Sequence, residues 1–268
     1  MHRVGKEPNL SRLQQPDYGI DSPAIVCGQL IASLLALGFA LVKPRLGGIY
    51  ARWIELAVGV YFLQGALGMI HYSRRGKLKL REALLDQVSW HGDESVLDVG
   101  CGKGVLLVGA ANRLTTGKAI GVDVWRPRAL SDNRCEAVLE NAAAERVEHL
   151  VEVTHGDARQ LPFNDGTFDV ALSNFVLHEL SSPTDRHRMV KEMCRVLKPG
   201  GRLALIDFIF TQECVTALRG FGCEDAVRFR IGGLGNWVGA VLMLGTFQLC
   251  SVTATTPSGS KDLSPQIS

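Results

Sequence analysis

The sequence predicts an α/β fold: a mostly parallel sheet with an antiparallel last strand, preceded by two transmembrane helices. Three observations predict it. From about residue 79, short apolar runs ending in acids alternate with helical stretches, as in βα units joined by right-handed crossovers. One unit, Val96-Leu97-Asp98-Val99, turns through glycine at every second position, Gly100, Gly102 and Gly104. Two long apolar runs, 24–42 and 54–72, come before the alternating region, and the first carries no charge.

Taken in order, residues 1–23 are polar, are broken by Pro8, Pro16 and Pro23, and read as a loose tail. Residues 24–73 read as a transmembrane hairpin. At about 1.5 Å per residue each run can cross a hydrocarbon core. Lys43-Pro44-Arg45 stops the first helix, and Gly47-Gly48 turns the chain. Only Glu55 and Gln64 interrupt the second run. Ala32, Ala36 and Ala40 recur every fourth residue, so a neighbouring helix can approach closely, with Gly65 and Gly68 as the facing surface. Arg3, Lys6 and Arg12 on one side and Arg74, Arg75, Lys77, Lys79 and Arg81 on the other outnumber Lys43, Arg45 and Arg52 of the connection. That bias predicts a multi-pass protein of the cell membrane with its catalytic domain cytoplasmic. The competing reading is a buried helical hairpin in a soluble cap. A signal peptide fits poorly, because the apolar run starts late and no small-residue cleavage site follows it.

Residues 79–254 form the α/β domain. A helix is expected over 80–88, and the first strand ends at Asp98-Val99. A helix over 103–114 stops at Thr115-Thr116-Gly117. Strand two is 119–124, and Pro127 opens a helix that runs to Arg146. Strands three, four and five are 150–154, 168–173 and 203–207, with a helix from Pro183 between the last two. Two closing strands, 227–231 and 246–253, flank an apolar insert, 234–245, that lines a pocket, touches a bilayer or packs on the core. Residues 255–268 read as a disordered polar tail.

Composition excludes some functions. The formal net charge is +2, which gives no electrostatic case for nucleic acid. The seven cysteines are odd in number and contain no C-x-x-C pair, so neither zinc nor a disulfide framework is expected, and a reducing compartment is.

The chemistry concentrates at strand ends, where open α/β sheets bind ligands. Glycine lets backbone approach a ligand closely. A dinucleotide turn would need glycine at Val105 and an acid about 20 residues on; here Asp98 stands two residues before the first glycine. An acid there meets an ammonium group rather than a pyrophosphate. The pattern resembles the nucleotide-binding turn of the class I S-adenosylmethionine (SAM)-dependent methyltransferases. Gly156-Asp157-Ala158-Arg159-Gln160-Leu161-Pro162-Phe163, Phe168-Asp169-Val170, Leu177-His178 and Arg195-Val196-Leu197-Lys198-Pro199-Gly200-Gly201 resemble the type 11 methyltransferase domain, a group that includes ubiquinone and menaquinone biosynthesis enzymes. The resemblance covers roughly 80–210. It implies a Rossmann-like class I methyltransferase sheet, SAM as cosubstrate and small-molecule acceptors. Lys103 departs from it, standing where threonine is usual in the turn.

The groups of SAM then find matching residues. Asp98 with Gly100, Gly102 and Gly104 suits the amino-acid end. Asp123 suits the ribose diol, since a carboxylate accepts both hydroxyl protons. Val124 suits the adenine face, and Asp157 with Ala158 the adenine amino group. Ser173 and Asn174 end strand four beside the sulfonium. The sulfonium is already activated, so methyl transfer needs chiefly proximity and orientation. His178 and Glu179 are the candidate bases if the acceptor must lose a proton. Ser173-Asn174-Phe175-Val176 lacks the Asn/Asp-Pro-Pro-Tyr signature of adenine N6 or glutamine methylation. The expected function is a membrane-anchored methyltransferase with a hydrophobic acceptor: a quinone, isoprenoid or lipid. The alternatives are a membrane-tethered SAM-binding regulator without turnover and a nicotinamide oxidoreductase, against which Asp98 and Val105 speak.

Overall fold

The computed structural model describes residues 15–42, 48–126, 130–231 and 249–258. Its centre is a seven-stranded sheet of β1 (Ser95–Val99), β2 (Lys118–Asp123), β3 (Val151–His155), β4 (Phe168–Asn174), β5 (Leu197–Asp207), β6 (Val227–Arg230) and β7 (Cys250–Thr255). The spatial order is β3-β2-β1-β4-β5-β7-β6. The first five strands are parallel, and β7 runs antiparallel to both β5 and β6.

Helices α3 (Lys77–Leu85), α4 (Val105–Ala111) and α5 (Cys135–Ala144) cover one face, and α6 (Pro183–Val196) and α7 (Thr211–Gly220) the other. The period-two alternation of β1 divides its side chains between them. Val96 joins the core under α3 to α5, while Leu97 and Val99 join the core under α6 and α7. A strand buried on both faces cannot carry an acid without a reason, and Asp98 is that acid. The strand order reverses at β1 and β4, which leaves a crevice beyond their carboxyl ends.

Before the sheet, α1 (Pro23–Val42) and α2 (Gly48–His71) form an antiparallel hairpin. Small residues seat it. Ser33 Oγ donates to Gly59 O at 2.8 Å, and a Cβ on Gly59 would come within 2.6 Å of Leu37 Cγ. Gly65 lies against Gln29, and Gly68 and Ala40 are buried, whereas Ala32 and Ala36 are only partly so. The outer face is apolar and open: Leu34 is 71% exposed, Leu41 70% and Trp53 63%. Both helices are long and apolar enough to cross a membrane.

Several expectations are corrected. Residues 15–22 are no loose tail but a strap laid on the α/β domain, described below. The hairpin and the α/β domain are continuous, because α2 passes through a π-helical turn, Tyr72–Gly76, directly into α3. The helix expected from Pro127 starts at Cys135; Leu130 instead forms a bridge with Asp21, and Pro127 lies outside the described residues. Helix α7 had no sequence expectation. Thr256 is no part of a free tail: its hydroxyl donates to Lys198 O at 2.6 Å. The apolar insert 234–245 lies outside the described residues.

Candidate active site

A cavity of about 320 Å³ opens over the carboxyl ends of β1, β2 and β4. The glycine turn makes its floor. Gly100 takes φ +73°, and a Cβ there would come within 2.3 Å of Val176 Cγ2, so both backbone and space require glycine. Gly102 gives its N–H to Asp123 Oδ2 at 2.8 Å. Gly104 does not line the cavity. It takes φ +83° at the start of α4, and a Cβ would meet Val138 Cγ1 at 2.8 Å, so its bareness serves helix packing. Helix α4 is also shorter than expected, and all its residues are buried.

Asp98 lines the cavity, is 1% exposed, and neither of its carboxylate oxygens has a hydrogen-bond partner. Burial pushes its carboxyl up to about 8, and the charge of Asp123 adds to the rise. An orphaned buried carboxyl is costly unless something comes to meet it. Asn174 Oδ1 and Asn133 Oδ1 are shielded and unpartnered in the same wall. Asp123 accepts from Gly102 N and, through Oδ1, from Trp125 N at 2.7 Å, which fixes its orientation and leaves lone pairs free. Val124 and Ala158 complete the apolar lining. These residues fit SAM: an acid for the ammonium, an acid for the diol, amide oxygens and an apolar slot.

Two expected residues behave differently. Ser173 is 2% exposed, lies outside the cavity lining and donates its hydroxyl to Val99 O at 2.9 Å, so it ties β4 to β1. Asp157 reaches the wall, but Arg159 forks both of its oxygens at 2.6 to 3.1 Å and holds its carboxyl below the usual range. Its carboxylate is therefore preoccupied.

On the β5 side His178 and Glu179 line the cavity from the 3-10 turn Leu177–Glu179. His178 Nδ1 lies 3.3 Å from Asp207 Oδ2, and Nε2 lies 3.5 Å from Glu179 Oε1. Asp207 is fully buried at the end of β5 and accepts from Phe208 N at 2.7 Å and His178 N at 3.2 Å. It carried a strand-end signal in the sequence but no assigned role. The rings of Phe175, His178 and Phe208 pack together, with His178 and Phe208 centroids 4.6 Å apart.

The strap closes the opposite side. Lys103 is 3% exposed and points at Asp17 Oδ2, 3.2 Å away, rather than at water. Asn141 accepts from Asp17 N at 2.7 Å and donates to Asp17 O at 3.0 Å and Lys103 O at 2.9 Å. The Tyr18 hydroxyl donates to Glu145, and Lys77 donates to the carbonyls of Tyr18 and Gly19, each at 2.8 Å. Tyr18, Asp21 and Ser22 thereby join the lining.

Comparison with known proteins agrees with this geometry. Residues 97–205 match the family model described as a methyltransferase domain. A chloroplastic 2-phytyl-1,4-beta-naphthoquinone methyltransferase of Arabidopsis thaliana is 33% identical over 145 residues, 52% of this chain and 53% of that protein. A 27-O-demethylrifamycin SV methyltransferase of Amycolatopsis mediterranei is 31% identical over 174 residues, 63% and 56% of the two chains. A demethylmenaquinone methyltransferase of Symbiobacterium thermophilum is 33% identical over 130 residues, 48% of each. The chain spans about half the length of these relatives. Among solved structures, the cyclase SpnF superposes with TM-score 0.53 at 22% identity, covering 68% of this chain and 82% of that one. The geranyl diphosphate C-methyltransferase of Streptomyces coelicolor A3(2), solved with S-adenosyl-L-homocysteine, gives 0.50 at 18%, covering 81% and 86%. From Leu97 to Leu205 this chain therefore matches the family model of a methyltransferase domain, and its sheet shares the Rossmann-like α/β fold of these two solved structures.

Proposed function

We propose that this chain is a membrane-anchored SAM-dependent methyltransferase that transfers a methyl group to a small hydrophobic acceptor, a quinone, isoprenoid or lipid. The observation that carries the reading is Asp98: a buried, unpartnered carboxyl beside Asp123, over a cavity, in a segment that matches a methyltransferase domain. When bound, SAM supplies a methyl group already activated on a sulfonium. Asp98 would pair with its ammonium, and the free lone pairs of Asp123 would accept from its ribose hydroxyls. His178, oriented by Asp207 and Glu179, would take the proton of an acceptor that must lose one. The hydrophobic acceptor is supported by the quinone methyltransferases among the relatives and by the apolar wall of the cavity. The anchor is supported by the open apolar face of α1 and α2, and the basic bias keeps the domain in the cytoplasm.

The test uses the full chain in detergent. It should bind S-adenosylhomocysteine in calorimetry and move label from SAM into a lipid fraction of host membranes. Asp98→Ala and Asp123→Ala should each lose binding at least tenfold. Wild-type affinity in both variants would overturn the site. Complete release from membranes by alkaline carbonate would overturn the anchor.

A further inference from the structure

Tyr72 stands where α2 gives way to the π-helical turn, outside the segment that matches the methyltransferase domain. It is 9% exposed and lines the cavity, and its hydroxyl has no hydrogen-bond partner. Its ring meets Phe175 edge-on, with centroids 6.3 Å apart at 75°. Phe175 continues to Phe208 and His178, so four rings make one aromatic wall. The register break is what sets the Tyr72 ring. A Cβ on Gly76, one π-turn later, would strike Tyr72 Cδ2 at 2.6 Å, so bare glycine leaves room for the ring to lie back along the helix. A π-turn inside a helix is costly and concentrates at functional sites. A buried tyrosine ordinarily finds a partner for its O–H.

We propose that the hairpin is part of the acceptor site: Tyr72 donates its O–H to an oxygen of the acceptor, whose flat apolar ring packs against Phe175 and Phe208. This rests on the methyltransferase reading and adds to it where the acceptor sits and what selects it. The aromatic wall binds any flat apolar ring, and Tyr72 distinguishes an oxygen-bearing ring from a bare one. His178 approaches from the β5 side and Tyr72 from the hairpin foot. Met69, one turn before Tyr72, lines the same cavity, so the acceptor's apolar remainder lies toward the hairpin. The hairpin then both holds the enzyme at the bilayer and reads its substrate.

The experiment compares the wild-type full chain with Tyr72→Phe, a variant that removes one atom and leaves the ring. Both are loaded with S-adenosylhomocysteine in matched detergent, and two probes are titrated by calorimetry: 1-naphthol, and naphthalene, which lacks the oxygen. Wild type should prefer 1-naphthol, and Tyr72→Phe should lose about fivefold to tenfold of that preference, the worth of one hydrogen bond. Naphthalene affinity and S-adenosylhomocysteine affinity should stay within twofold. Equal preference in the two proteins, or none in wild type, would overturn the subsite. Failure of wild type to bind S-adenosylhomocysteine would instead overturn the methyltransferase reading, while the probe ratio still reports on Tyr72.

Discussion

Asp98 has an unusual balance of forces. Burial outweighs the pull of the Leu107 backbone N–H and holds its proton on up to about pH 8, and a cationic ligand would pull that proton off. The sign follows. Between the ordinary carboxyl range and pH 8 the folded protein holds a proton that the unfolded chain has lost, so stability falls as pH rises through that window. Cofactor binding runs the other way. Pairing with an ammonium needs the ionised form, so S-adenosylhomocysteine affinity should rise from pH 6 to pH 7.5 by up to about tenfold per unit, with a proton released. Calorimetry in buffers of different ionisation enthalpy counts that proton, and a pH-independent affinity would refute the linkage. Ser173 supplies the contrast. Ser173→Ala should leave cofactor affinity unchanged and cost about 1 kcal/mol of stability in denaturant melts, because its hydroxyl serves the sheet. The sequence made the positions of Asp98 and Asp123 legible, since a glycine turn between strand and helix fixes the first and the end of the second strand fixes the other. It could not show that Ser173 turns inward or that Arg159 claims Asp157, because side-chain partners are settled by tertiary packing. Asn133 and Tyr72 had no local signal: one lies in a loop, the other on an apolar helix.

At the scale of elements, period-two strands and their terminal acids were readable, and β2, β3 and β4 fall within a residue or two of expectation, whereas β5 begins at Leu197, six residues before the strand expected over 203–207. The misses share a cause. The strap, the 130–134 loop and the π-turn are irregular segments held by long-range polar contacts, which leave no periodicity in sequence. Asn141 is the clearest of these contacts. It is 4% exposed and holds Asp17 by two bonds and Lys103 by a third. Removing it orphans the buried carbonyl of Lys103, at a cost of roughly 1–3 kcal/mol, and drops both bonds that hold Asp17. Asn141→Ala should therefore release the strap before it unfolds the domain. Hydrogen exchange should show lost protection at the amides of Asp17, Gly19 and Ile20 with β1 and β4 unchanged; uniform loss across the sheet would mean that the strap is no separate unit. Glycine 104 marks the opposite case, an element fixed from within. Gly104→Ala should destabilise the fold through its positive φ and its clash with Val138, with melts reporting a loss of about 1–3 kcal/mol.

For the whole molecule the open question is which solvent surrounds the hairpin, and one substitution separates the answers because its sign reverses between them. Leu34 sits midway along α1, 71% exposed on the face turned away from α2. In water, Leu34→Lys replaces an exposed apolar side chain with a charged one, which is neutral to stability and favours solubility. In a bilayer the same lysine lies near the hydrocarbon centre, too deep to reach either interface cheaply, and insertion loses about 2.5–3.5 kcal/mol. The anchored reading therefore expects Leu34→Lys to shift the protein out of the carbonate-resistant fraction by a factor of roughly 50 or more in the insertion equilibrium. A water-facing hairpin expects unchanged yield and better solubility. Ser33→Leu, one residue along on the packed face, is the control. Ser33 is 2% exposed and bonded to Gly59 O, so a leucine there damages hairpin packing in either solvent. Loss of membrane retention in Leu34→Lys, with cofactor binding intact in detergent, would place lipid around the hairpin and the cavity beneath it within reach of acceptors dissolved in the bilayer.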